Sequence, residues 1–208
     1  MKNIVVLVSG GGTNLQALID AQNNGMFKNG RISCVISSKS GAYALERAAK
    51  NSIPTRVIAR NSYDDFSSYT DALLSALQEE NADLIVLAGF MTILDSKIIK
   101  AYENKIVNVH PSLIPAFCGV GFYGLKVHEQ ALARGVKYSG ATVHFVNEEA
   151  DGGPIILQKP VAVNSDDTPE VLQRRIMEEA EWILLPNVVK LFCEDKIKVE
   201  NNKVIIKD

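Results

Sequence analysis

Short apolar runs recur through the first half of this chain. The purest, residues 4–8 (Ile-Val-Val-Leu-Val) and 84–88 (Leu-Ile-Val-Leu-Ala), contain no polar residue at all. A strand with one wet face alternates apolar and polar side chains, because successive side chains point to opposite faces. A strand apolar on both faces must be covered on both, and the ordinary cover is helices joining parallel strands. The spacing predicts strands over residues 4–8, 32–37, 55–59, 84–88 and 106–109. Helical patterns fall between them over 15–23, 42–51, 64–80 and 95–102, with Leu73, Leu74 and Leu77 at helical spacing. Strand–helix alternation of this kind predicts an open, mostly parallel twisted α/β sheet with helices on both faces, a Rossmann-like arrangement.

The second half changes character, and mixed strands are expected there. Residues 112–124 read as loop and 125–134 as helix. Residues 141–146 alternate, with Thr142, His144 and Val146 on one face. Residues 155–163 are strand-like, with an interruption expected at Pro160. Thr168-Pro169 reads as a cap and first helical turn. It opens a helix through residue 194 with a disturbance expected at Pro186. Residues 197–199 and 204–206, joined around Asn201-Asn202, suggest a terminal hairpin. With no internal repeat, low-complexity segment or linker, residues 1–208 are expected to form one domain.

Composition narrows the function classes. Of the 208 residues, 47% are apolar and 22% charged, and the net charge is −2, so no global field favours nucleic acid or an anionic membrane. No apolar stretch approaches a membrane span, and Met1-Lys2-Asn3 runs into a strand without a signal peptide. Cys34, Cys118 and Cys193 make neither a metal spacing nor a disulfide framework. A reducing, cytoplasmic setting is expected.

Three segments carry candidate chemistry. Ser9-Gly10-Gly11-Gly12-Thr13-Asn14 lies between the first strand and the first helix. There, backbone N–H groups and the Thr13 and Asn14 side chains favour a phosphate, unless the segment is only a tight turn. No Gly-Lys-Ser/Thr follows, so it is not a Walker loop. The third position of a dinucleotide fingerprint is Leu15, and no acidic residue ends the second strand. Lys39 there leaves a reduced NADP module open. Asn108-Val109-His110-Pro111-Ser112 closes an apolar strand. Asn108 and His110 share a face, and Pro111 should stop the pairing. An amide beside an imidazole can bind a developing oxyanion and manage a proton; the plain alternative is a strand end with a core histidine. Asp151-Gly152-Gly153-Pro154 is either a surface turn or a turn that aims Asp151 at His110. In the second case the carboxylate would keep the imidazole cationic. The apolar stretch Gly89-Phe90-Met91-Thr92-Ile93-Leu94, at a strand end, could line a slot for a flat heterocycle or simply pack in the core. His128 is expected on a surface helix and His144 as a packing residue. No histidine has metal-ligand spacing with another His or Cys.

Together these segments resemble the glycinamide ribonucleotide formyltransferases of purine biosynthesis, over essentially the whole chain. The resemblance rests on residues 4–15, Leu87-Ala88-Gly89-Phe90-Met91, Asn108-Val109-His110-Pro111-Ser112-Leu113, Thr142-Val143-His144-Phe145-Val146 and residues 151–158. It implies the formyltransferase version of the fold, with residues 1–105 as the phosphate-binding half and 106–208 as the catalytic and folate-binding half. It implies formyl transfer from 10-formyltetrahydrofolate to the amine of 5′-phosphoribosylglycinamide through a tetrahedral intermediate, without a metal. By the same resemblance Asn108, His110 and Asp151 are catalytic. Gly12, Thr13 and Asn14 hold the phosphate, and Glu178, Glu179, Ala180 and Glu181 meet the ribonucleotide, Glu181 most directly. Met91, Thr92, Ile93, Leu94, Asn108, Asn147, Glu148, Glu149, Ala150 and Asp151 bound the folate. Partners would be these small molecules, with no nucleic acid or membrane, acting on a monomer or homodimer. Thr92 stands where an Arg often follows Phe-Met in that family, Phe66 where many members carry an Arg, and Lys126 near a frequent His.

The rival readings are a formyltetrahydrofolate hydrolase, a methionyl-tRNA formyltransferase and a non-catalytic nucleotide-binding module. The first usually carries an extra N-terminal regulatory domain and the second a basic C-terminal RNA-binding domain, and neither is expected here. The third could use the glycine loop without needing Asn108, His110 and Asp151 together.

Overall fold

The computed structural model describes residues 1–207. Chain order runs β1 (Lys2–Val8), α1 (Thr13–Asn23), β2 (Gly30–Ser37), α2 (Tyr43–Lys50), β3 (Thr55–Val57), α3 (Phe66–Glu79), β4 (Leu84–Leu87), α4 (Ser96–Ala101) and β5 (Ile106–His110). It continues with α5 (Leu125–Arg134), β6 (Tyr138–Phe145), β7 (Ile155–Ala162), α6 (Pro169–Ile176), α7 (Trp182–Cys193), β8 (Ile197–Glu200) and β9 (Lys203–Ile206). Seven strands form one sheet in the order β3-β2-β1-β4-β5-β6-β7. β1 to β5 are parallel to their neighbours, while β6 and β7 add on antiparallel.

The apolar runs lie where two-sided burial requires. Ile4, Val6, Val8, Leu84, Val86 and Val107 face Leu15 and Leu18 of α1, Ala44 and Ala48 of α2, and Leu185 and Val188 of α7. The residues between them, Val5, Leu7, Ile85, Leu87 and Ile106, face Tyr69, Leu73 and Leu77 of α3 and Ile98 of α4. Each such side chain contributes roughly 1.5–3 kcal/mol on burial, so β1 and β4 are stapled from both faces. Their C-terminal ends, with that of β5, form a rigid rim for the loops that follow. At the far end of the chain, Asn201 and Asn202 take φ values of 49° and 60°. Those angles suit a two-residue hairpin turn, and they join β8 to β9.

Two local expectations are corrected. β7 runs through Pro160 without interruption, paired with Gly140. β7 is an edge strand, where one side carries no ladder bonds and a missing N–H goes unfelt. The helical stretch does open at Thr168, whose Oγ1 accepts from the Val171 N–H at 3.3 Å. Its disturbance, however, is a π turn over Met177–Glu181, ahead of Pro186, which lies inside α7. A proline ring presses on the carbonyl four residues earlier, at Trp182. The chain makes room in the turn leading into Trp182, whose N–H bonds the Met177 carbonyl five residues back.

Gly12 caps α1 with φ 73°, and a Cβ there would sit 2.6 Å from Ala44 Cβ and 2.9 Å from Ala44 Cα. Gly25 has the same φ of 73° but nothing within 4 Å. Gly12→Ala should therefore cost about 2–4 kcal/mol, a left-handed alanine plus overpacking, and Gly25→Ala only about 1–2 kcal/mol. Denaturant unfolding of the two variants checks this. Equal losses would mean that the close approach of α2 carries no weight.

Candidate active site

The site is set by the pairing of β5 with β6. Their register puts Asn108 opposite His144 and His110 opposite Thr142. β5 stops at His110, and the chain beyond Pro111 is held by side chains in place of a ladder. Thr142 Oγ1 donates to the Ser112 carbonyl at 2.7 Å and accepts from the Ile114 N–H at 3.1 Å. Ser112, fully buried, donates to the Ala116 carbonyl. The loop therefore leaves the strand in a fixed direction and returns over the imidazole of His110.

Asp151 comes back from the far end of β6. It adopts φ 54°, and Gly153 lets the turn close. A Cβ on Gly153 would overlap the Phe145 carbonyl oxygen at 1.8 Å. The carboxylate then lies between two buried histidines. Its Oδ2 is 3.5 Å from His110 Nδ1 and its Oδ1 is 3.5 Å from His144 Nε2. The Gly119 N–H donates to Oδ2 at 2.9 Å. Asn108 Nδ2 donates to His144 Nε2 at 3.3 Å, and His144 Nδ1 donates to the Phe145 carbonyl at 2.8 Å. His110 Nε2 donates to the Phe117 carbonyl at 2.8 Å.

The charges follow from these contacts. Burial pushes the Asp151 carboxyl up, but His144, the Gly119 N–H and His110 together bring it below the usual carboxylate range, so it is ionised. For His110 burial dominates and lowers the imidazole pKa. The Phe117 carbonyl and Asp151 pull it back up without winning, and His144 adds to the lowering. The expectation that Asp151 keeps His110 cationic is thus corrected: in this state the ring is neutral at pH 7. The reason is desolvation, which sequence spacing cannot show.

Two other histidines are corrected. His144 is not merely a packing residue, since it touches both Asn108 and Asp151. Its signal was the period-2 face it shares with Thr142, combined with antiparallel pairing to β5. His128 does not lie on the water side of its helix. It is fully buried on α5, neither ring nitrogen reaches a protein hydrogen-bond partner, and burial with His110 nearby drives its pKa down to about 4.

A second cluster lies at the N-terminus of α1. The first turn has no side-chain cap, so the N–H groups of Thr13, Asn14 and Leu15 lack helical partners and face an anion favourably. Asn14 Nδ2 donates to Glu181 Oε2 at 2.7 Å, which ties this loop to the π turn. Of the four neighbours expected near the ribonucleotide, only Glu181 reaches the loop. Glu178 pairs with Arg174 at 2.8 Å, Glu179 is exposed and Ala180 is fully buried in the core. Along the expected folate segment, Met91 is 58% and Ile93 83% exposed, an unusual state for large apolar side chains, whereas Leu94 is buried. The Met91 N–H donates to Ser9 Oγ at 2.9 Å, joining this segment to the glycine loop. Asn147 Oδ1 accepts from the Glu149 N–H, Glu148 pairs with Lys100 at 3.1 Å, and Ala150 is exposed beside Asp151. Among the described residues no group of three or more His, Cys, Asp or Glu is placed to hold a metal, and no helix is long and apolar enough to cross a membrane.

Comparison with known proteins points to the formyl transferases. Residues 2–189 match the formyl transferase family model. The phosphoribosylglycinamide formyltransferase of Haemophilus influenzae is 42% identical over 202 residues, 97% of this chain and 92% of that protein. The human trifunctional purine biosynthetic protein adenosine-3 is 39% identical over 202 residues, 97% of this chain and 19% of that protein. The crystal structure of glycinamide ribonucleotide transformylase 1 from Symbiobacterium toebii superposes with a TM-score of 0.93 at 42% identity, covering 100% of this chain and 95% of that one.

Glu181 gives the site a pH signature. Burial raises its carboxyl from 4.5 to about 7, with Asn14 pulling partly back. Between those values the folded protein keeps a proton that the unfolded chain gives up. Its contribution is therefore full below pH 4.5 and lost as the pH rises through 7. Glu181→Gln should gain on the parent by up to about 3 kcal/mol between pH 4.5 and pH 8. Urea unfolding across that range measures the difference, and a pH-independent difference would mean that Glu181 is ionised in the fold throughout.

Proposed function

The chain belongs to the formyl transferase family, and we propose that it transfers the formyl group of 10-formyltetrahydrofolate to the amine of 5′-phosphoribosylglycinamide. The products are tetrahydrofolate and 5′-phosphoribosyl-N-formylglycinamide, a step of de novo purine (IMP) biosynthesis in the cytoplasm. The observation that carries this reading is the Asp151 carboxylate 3.5 Å from each of two buried histidines, with Asn108 bonded to one of them. One domain supplies both halves: residues 1–105 hold the phosphate, and residues 106–208 carry the chemistry and most of the folate contacts. Small molecules suffice as partners, with no nucleic acid or membrane, whether the enzyme acts as monomer or homodimer.

The folate supplies an electrophilic formyl carbon and a nitrogen leaving group. Met91 and Ile93, apolar and exposed on the rim after β4, fit a flat heterocycle laid against them. Gly12, Thr13 and Asn14 anchor the substrate phosphate at the α1 N-terminus, and Glu181 offers a carboxyl to the ribose beyond it. The Asn108 amide, a fixed donor at the end of β5, stabilises the negative charge that develops on the formyl oxygen. A donor of this kind is worth roughly 3–4 kcal/mol. His110 is neutral beforehand, with its Nδ1 facing an ionised Asp151, so it accepts the proton released by the attacking amine at a position where the resulting imidazolium is paired. Asp151 makes that charge tolerable in a buried site, and His110 then returns the proton to the departing nitrogen. His144, bonded to Asn108 and adjacent to Asp151, holds both in place.

Mixing the protein with 10-formyltetrahydrofolate and the ribonucleotide should release tetrahydrofolate, read by absorbance, only when both are present. Release without the ribonucleotide would mean a hydrolase; no release, with nucleotide still bound, would mean a binding module. Asn108→Ala, His110→Ala and Asp151→Asn should each lower turnover at least about a hundredfold with the fold intact by circular dichroism. A near-normal rate in any one removes that residue from the mechanism.

A further inference from the structure

His110 faces a hydrogen-bond acceptor at each ring nitrogen. The Phe117 carbonyl lies 2.8 Å from Nε2, and Asp151 Oδ2 lies 3.5 Å from Nδ1. A neutral imidazole carries one N–H, so it satisfies one acceptor and turns its lone pair toward the other. Only the Nε2 contact has the length of a good hydrogen bond, which places the N–H on Nε2 and the lone pair on Nδ1. The Phe117 carbonyl therefore decides which nitrogen is free to take a proton. Whatever aims that carbonyl sets the working face of the ring.

Three features aim it. Phe117 takes a φ of 50°, a left-handed conformation that is costly for a bulky side chain. Its ring is anchored, partly buried against the core and 6.5 Å from the Phe122 ring. The peptide just before it is held by Ser112, whose Oγ donates to the Ala116 carbonyl at 2.5 Å. Ser112 has no exposed surface, so bulk water does not compete for that bond. The Ala116 N–H bonds the Leu113 carbonyl at 3.0 Å, closing the turn between them. The Ser112 carbonyl in turn accepts from Thr142 Oγ1 at 2.7 Å, which ties the serine to β6. Two residues past Phe117, the Gly119 N–H reaches Asp151 Oδ2 at 2.9 Å. Residues 116–119 thus touch Ser112, His110 and Asp151 in order. A serine that only stapled the loop shut would not need a left-handed phenylalanine beside it. The strain makes sense as the means of pointing one carbonyl at one ring nitrogen.

We propose that Ser112 is a positioning residue: through the Ala116–Phe117 peptide it fixes His110 in the tautomer protonated on Nε2, and so assigns Nδ1, the nitrogen facing Asp151, as the base. The inference rests on the formyl-transfer reading for the use made of Nδ1. The test is NMR at pH 7 of protein labelled on the histidine ring nitrogens, with the His110 signals assigned by their loss in His110→Ala. Steady-state kinetics with 10-formyltetrahydrofolate and the ribonucleotide run beside it. The parent should show a protonated Nε2 and a bare Nδ1. Ser112→Ala should show both tautomers. Its kcat should fall about tenfold, as loss of one hydrogen bond implies, with KM for both substrates within about twofold of the parent. Ser112→Cys, close in volume and with a weak S–H donor, should lie between the two, and it keeps the test open should the alanine variant fail to fold. A parent protonated on Nδ1 overturns the proposal. So does a folded Ser112→Ala that loses stability alone and keeps the parent's tautomer and kcat. The expected tautomer in a parent without ribonucleotide-dependent turnover overturns the formyl-transfer reading and leaves the tautomer assignment standing.

Discussion

An ionised carboxylate between two buried imidazoles is the contact around which the C-terminal ends of β5 and β6 and the loops beyond them are arranged. Asp151 Oδ2 accepts from the Gly119 N–H, and its two oxygens lie 3.5 Å from Nδ1 of His110 and Nε2 of His144. Each partner arrives from a different element: His110 from the end of β5, His144 from β6 and Gly119 from the loop between β5 and α5. Removing the carboxylate would leave the two rings facing each other's dipoles in a dry site and would release the loop that covers His110. The left-handed backbone at Asp151 and the contact of Gly153 with the Phe145 carbonyl are conformational costs that make sense as the means of bringing this one side chain back to the strand end.

The same arrangement sets the proton chemistry. Burial outweighs Asp151 at His110, so the ring is held in its neutral form, beside the group that would pair it in the proposed proton transfer. A histidine already cationic could donate to an oxyanion but could not take a proton from an attacking amine. A neutral ring beside a fixed anion can do both in sequence, and the cost of charging it falls in the step where charge is being formed. The glycine loop and the end of β5, the proposed phosphate and catalytic positions, lie on one rigid rim, because β1, β4 and β5 are adjacent and buried from both faces.

Much of this was legible in the chain. Apolar runs on both strand faces implied the parallel sheet, Thr168-Pro169 the cap, and Asn201-Asn202 the closing turn, because each is a local rule acting on adjacent residues. Pro111 was legible as the stop that leaves His110 at a strand end. What escaped was long-range. The role of His144 depends on its register against Asn108, the neutrality of His110 on burial by a loop seven residues away, and the inward turn of His128 on the packing of α5. The break before α7 was misplaced for a similar reason. Proline marks a steric conflict, but which turn yields depends on what the neighbouring residues pack against, and here Glu181 is carried inward onto Asn14.

The central claim is that His110 and Asp151 act as one unit, the carboxylate working only through the charge it stabilises on the ring. A double-mutant cycle on kcat/KM, with His110→Ala, Asp151→Asn and the pair combined, measures this directly. The account predicts that the double variant is scarcely slower than the worse single variant, since either change alone disables the unit. Losses that add in full would contradict it, showing that the two residues serve separate steps.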